Sequence, residues 1–153
     1  MASHNLERLK EHIMPLSEAT HFELARLEWK FVSIYLQPGG TCPCGHHPIT
    51  DHCMIRNTKT DYTTTVGNVC VNRFMGIDTS NLTLGLKRII KDPYGNANRA
   101  VIQYAGQQGF IYPREVDFLL QTIRIRKPSA KQREWKRKIN WRIINAVMVK
   151  ETI

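Results

Sequence analysis

No run in this 153-residue chain approaches the ~18 consecutive apolar residues that a membrane-spanning helix needs. The opening Met1-Ala-Ser-His-Asn5 lacks the apolar core of a secretory signal. Both absences lead to the expectation of a cytoplasmic protein with no membrane partner. Acidic residues are scarce: 13 Asp and Glu stand against 22 Lys and Arg, a formal charge of +9 with a pI near 9.7. Such an excess attracts polyanions over long range but says nothing about fold. Glutamate is missing between Glu28 and Glu115, which excludes a zinc deaminase, whose proton-shuttling Glu must stand close to its cysteines. Glycine-rich phosphate loops and nucleophile elbows are absent too. Without internal repeats, low-complexity tracts or a long linker, one domain, 1–153, is the default, and it is large enough to bury a core without disulfides.

Cysteine is lacking everywhere except one 29-residue stretch, which holds Cys42, Cys44, Cys53 and Cys70. A cytoplasmic chain of this size has no need of a disulfide framework. Four thiolates gathered from a turn and a hairpin instead suit one tetrahedral Zn²⁺ at ~2.3 Å. Pro38-Gly39-Gly40 is expected to break the preceding helix, and Thr41-Cys42-Pro43-Cys44-Gly45 bends two sulfurs inward as a knuckle. His52 to Asn57 reads as a strand, Thr58 to Asp61 as a turn and the Thr-rich Tyr62 to Val66 as the returning strand. Val69 to Phe74 then reads as a short helix presenting Cys70. The expected ligands are Cys42, Cys44, Cys53 and Cys70 around a structural zinc, with His46, His47 or His52 as the alternative to Cys53.

The run Cys42-Pro-Cys44-Gly, Ile49, Cys53-Met-Ile55-Arg-Asn57 and Val66-Gly67-Asn-Val-Cys70-Val-Asn-Arg-Phe74 resembles the zinc-knuckle, treble-clef-like module of small, mostly uncharacterised phage and bacterial proteins. Gly109-Phe-Ile111, Glu115, Phe118-Leu119, Ser129-Ala-Lys131-Gln132 and Ile139-Asn140 are similar to their helical tail. The resemblance implies a bound zinc and a phage or mobile-element setting, hence the host cytoplasm. It implies no reaction.

The rest of the chain reads as helical. A first helix spans Asn5 to Ile13, and Thr20-His-Phe-Glu23 fits a capping box. Leu24, Leu27, Phe31 and Ile34 then recur at three and four residues. Further helices are expected over Asn81 to Lys91, Ala97 to Tyr104 and Arg114 to Ile125. A last helix follows the capping box Ser129-Ala-Lys-Gln132, with Trp135, Ile139, Ile143 and Val147 facing the core. The expected fold is therefore mainly α with a small β-hairpin: a zinc-binding unit over 41–76 inserted between N-terminal helices (5–36) and C-terminal helices (81–149).

Eleven of the Lys and Arg residues fall in 112–153 against four acids. The expected function is non-enzymatic: a zinc-binding, nucleic-acid-binding accessory or regulatory protein that contacts DNA or RNA through Arg56, Lys59, Arg73, Lys131, Arg137, Lys138 and Arg142. Asn140 and Asn145 are side chains of the type that reads base edges. An alternative is an inhibitor or adaptor docking on an acidic protein surface. A second is an HNH-like nuclease built on Asp51, His52 and Asn57, disfavoured because Val69 to Phe74 carries no histidine or acid.

Overall fold

A computed structural model describes residues 2–148. Val149 and Lys150, counted above in the last helix and the basic tail, lie outside the described residues. The elements run α1 (Ala2–Ile13), α2 (Phe22–Ala25), β1 (Trp29–Gly40), β2 (Ile49–Asn57), β3 (Thr63–Gly67), α3 (Asn68–Arg73), α4 (Ser80–Lys91), α5 (Arg99–Gln108), α6 (Pro113–Thr122) and α7 (Ala130–Val147). At 52% helix and 19% strand the fold is mixed α/β, which corrects the expectation of a mainly α chain with a small hairpin. The chain parts into two compact units, one ending at Thr79 and one spanning Ser80–Met148.

The first unit is built on an antiparallel sheet of order β1-β2-β3. Its largest departure from expectation is β1, which occupies residues assigned above to a helix. The cause is local. Phe31 pairs with Ile55 and Ser33 with the adjacent Met54, so one extra residue bulges out of β1 at this point. A strand buries every second side chain, and here the buried Trp29 and half-buried Phe31 are followed by the buried Ile34 and Leu36. The inserted residue stretches one interval from two to three and thereby imitates helical spacing. Leu24 and Leu27, the other half of the supposed stripe, are exposed, and the helix that begins after His21 has no side-chain cap at its start, where a Thr20–Glu23 box was expected, and ends at Ala25.

Across the sheet Ile34, Cys53 and Val66 stand in one register row, all buried. The entry to β1 and the β2–β3 turn are joined by one carboxylate. Glu28 accepts from the backbone N–H groups of Glu18 and Ala19 and from the Asn57 amide, each at 2.9 Å. Asn57 Oδ1 in turn accepts from Lys59 and Thr60 N–H. Burial alone would push the Glu28 carboxyl up, but these donors, with Lys59 nearby, hold it below the usual carboxylate range. Trp29 is buried beside this network and donates its indole N–H to Ser17.

The second unit is four helices with clear end signals. Asn98 caps α5 by accepting from Val101 N–H and donates to Asn81 O at the start of α4. Gly85 permits this close approach: a Cβ there would stand 2.5 Å from the Asn98 amide. Ser129 and Gln132 form the reciprocal cap expected for α7. Ile139, Ile143 and Val147 are buried as expected, but Trp135 is 40% exposed and Lys136 is the side chain that turns inward, at 1%. The Lys136 ammonium is held by Asn96 Oδ1 and Thr122 O. Asn140 donates to Pro93 O and Gly95 O, so the α4–α5 loop is tied to the middle of α7.

Candidate metal centre

Residues Cys42 to Gly45 form a single turn closed by Gly45 N–H on Cys42 O at 2.8 Å, with Cys42 N–H returning to His46 O at 3.0 Å. Gly45 takes a φ of +96°, a conformation side-chain-bearing residues rarely adopt, which explains glycine after the second cysteine. This turn presents Cys42 and Cys44, and α3, which starts directly after β3, presents Cys70. The three sulfurs lie within 4.8 Å of one another, all buried, none in a disulfide. The Cys42 and Cys70 sulfurs are 3.7 Å apart. Backbone N–H groups already point at the sulfurs: Gly67 at Cys42 and His46 at Cys44, both at 3.4 Å.

This cluster can hold a metal ion. Without one, the hydrogen bond with Cys70 pulls the Cys42 thiol down to about 5 and pushes Cys70 up, while burial raises Cys44. One thiolate is thus favoured before any cation arrives. The chain brings together three of the four cysteines expected as ligands. Cys53 does not join the group: it sits in the sheet row described above, hydrogen-bonded with Thr79, its thiol pushed up to about 12 by burial and then by the charge of Asp51.

A cavity of about 120 Å³ opens beside the sulfurs, and of the three candidate histidines only His46 lines it, together with Ile49, Val69 and Phe74. His47 Nδ1 is instead 2.8 Å from Thr41 Oγ1, and His52 stacks on Tyr35 with centroids 4.6 Å apart. His52 Nε2 lies 2.9 Å from Gln37 O. Of the residues in the nuclease comparison, His52 is thus engaged with β1, and Asn57 with Glu28 and the β2–β3 turn.

The expected nucleic-acid contacts divide by what they already bind. Arg56 pairs with Asp61 at 2.7 Å, and Arg73 packs over Phe74. Lys59 lies near Glu28 in the β2–β3 turn. Arg137 is paired with Glu134 one turn away, and Arg142 is paired with the buried Glu115, which also caps α6. Asn140 is buried and spent on backbone carbonyls. Lys131, Lys138 and Asn145 are exposed on α7.

The chain matches no protein-family model, no curated protein sequence and no solved structure. Chemistry alone therefore carries the functional reading. Among the described residues no helix is long and apolar enough to cross a membrane. What the sequence reading missed is aromatic: Trp141 (43% exposed), Tyr94, Tyr112 and Trp135 are all exposed in the second unit. A signal was available, because a helix whose core face is centred on Ile139, Ile143 and Val147 must turn position 141 outward.

Proposed function

We propose that this chain is a non-enzymatic zinc protein, the metal shaping the first unit and the second unit binding nucleic acid as an accessory or regulatory factor. The observation that carries the reading is the convergence of Cys42, Cys44 and Cys70. Sulfurs held at ~2.3 Å from a tetrahedral zinc stand about 3.8 Å apart, and the Cys42–Cys70 separation is 3.7 Å. Soft thiolates with N–H donors aimed at them favour zinc over magnesium or calcium. For the fourth ligand we assign His46, the one of the three candidate histidines that lines the cavity beside the sulfurs. A Cys₃His set closes the coordination sphere, as in a structural site. Support for nucleic acid comes from charge: Ser80–Met148 holds fourteen Lys and Arg against four acids, whereas the chain up to Thr79 holds seven against eight.

Two measurements test the two halves. Elemental analysis of the purified chain is expected to find one zinc per chain; its absence after refolding with zinc sinks the first half. Electrophoretic shift with DNA and RNA is expected to show binding that weakens steeply between ~50 and ~200 mM salt, as counterion release requires. No shift at low salt would transfer the basic unit to an acidic protein partner.

A further inference from the structure

Tryptophan is treated in opposite ways by the two units. Trp29, in the first, is 2% exposed with its N–H satisfied, whereas Trp135 and Trp141, both on α7, are each about two-fifths exposed. They do not stand alone. Arg133 on α7 lies over the Tyr94 ring at 5.4 Å, Arg142 over Tyr112 at 5.8 Å, and Arg114 over the same ring at 5.7 Å. Trp135 is itself stacked on Phe118, centroids 4.0 Å apart. Successive steps of three and four along α7 place Lys131, Glu134, Lys138 and Asn145 on the outward stripe, with Trp135 and Arg142 along one edge and Trp141 along the other. The single acid of that stripe, Glu134, is neutralised by Arg137 through both carboxylate oxygens.

We infer that this face of α7, with the flanking Tyr94 and Tyr112, is a stacking surface for single-stranded nucleic acid. The inference rests on the nucleic-acid reading above and names its substrate class. Duplex bases are stacked on one another and offer a half-exposed indole no ring face, whereas splayed bases of a single strand do, and lysines beside the rings track the phosphates. Charge complementarity fixes the sign of the ligand. An anionic membrane surface would suit the charge but not the geometry: α7 turns its aliphatic residues, Ile139, Ile143, Ile144 and Val147, into the core, and what faces outward is Lys, Glu and Asn between two indoles.

The test is a fluorescence titration of the zinc-loaded full chain at ~50 mM salt with a 20-mer oligothymidylate, a 20-mer oligouridylate, a mixed-sequence 20-bp DNA duplex and phosphatidylserine vesicles. Expected is quenching of indole emission by a single strand, bound about tenfold more tightly than the duplex. Trp141→Ala should weaken that binding by roughly five- to a hundredfold, the range of one base–aromatic stack, and Trp141→Phe should restore most of it. Urea melts of both variants show whether the helix itself has been lost. Duplex bound as tightly as single strand, with unchanged emission, overturns the stacking surface and leaves the broader reading standing. No binding to any nucleic acid overturns both, and a blue shift with vesicles alone replaces them with a membrane surface.

Discussion

The unit ending at Thr79 carries every cysteine, the whole sheet and nearly balanced charge, while Ser80–Met148 has no cysteine, no strand of the three-stranded sheet and ten more bases than acids. The difference teaches how each is held. The first closes loops and a sheet around a cluster of thiols. The second is held by helix caps, an aliphatic core and charges turned inward, Lys136 on carbonyl and amide oxygens and Glu115 on Arg142. Burial by itself raises the Glu115 carboxyl, and the Arg142 and Tyr112 donors outweigh it, leaving it below the usual range.

The largest expected effect breaks this contrast outright. Cys70→Ser, or chelation, should abolish zinc content and remove protection from hydrogen exchange across residues 42–74, because the free energy of binding a structural zinc is folding free energy, on the order of 10 kcal/mol. Residues 80–148 should keep theirs. Equal loss in both would show that the division is not energetic.

Next in size, Arg142→Ala should lower stability in urea by about 1–3 kcal/mol by leaving a buried carboxylate short of its charged partner, whereas Lys138→Ala should stay within about 0.5 kcal/mol. Affinity for nucleic acid should rank the other way, Lys138→Ala flattening the salt slope. A reversed order would return Arg142 to the role of a contact. Acid sharpens the same point. Glu28 and Glu115 both have depressed pKa values, so the stability they contribute is complete above the ordinary carboxylate pKa of ~4.5 and is lost as pH falls through their folded values. Glu115→Gln should shift the acid midpoint of the 80–148 amides upward and leave that of the first unit in place.

The smallest effect concerns the fourth ligand. Cys53→Ser should retain full zinc and cost about 1 kcal/mol for a polar group in a buried row. His46→Ala should keep the fold at saturating zinc and weaken metal affinity by roughly 10-fold or more. Co²⁺ substitution reads this directly, since a fourth thiolate adds charge-transfer intensity that an imidazole does not. Zinc lost from Cys53→Ser alone would restore the four-cysteine set.

Much of this was legible in sequence wherever the signal is local. The confinement of the cysteines, the Pro-Gly bends of the knuckle, the β2–β3 pair around Thr58–Asp61 and the Ser129–Gln132 cap all depend on neighbours within four residues, and each element stands close to where these cues place it. What stayed hidden is long-range. The bulge in β1 disguised a period of two. Arg142 and Glu115 are 27 positions apart and Lys136 and Asn96 are 40 apart, so no spacing rule could reveal that two bases counted as surface charge are structural. Four cysteines in one stretch likewise do not say that Cys53, at the centre of a sheet row, stays out of the cluster formed by the other three.

Cys44 and Cys70 are twenty-six positions apart, with the whole of β2 and β3 between them. A cation bridging them acts as a removable staple on that span. A covalent link closing a loop of this length would restrict the unfolded chain by about 3.5 kcal/mol, and a metal ion coordinated by both would supply a restriction of the same kind while remaining responsive to the level of free metal around it. With a metal ion bound, the hairpin would be fastened at both ends by bonds that chelators can open and reducing agents cannot.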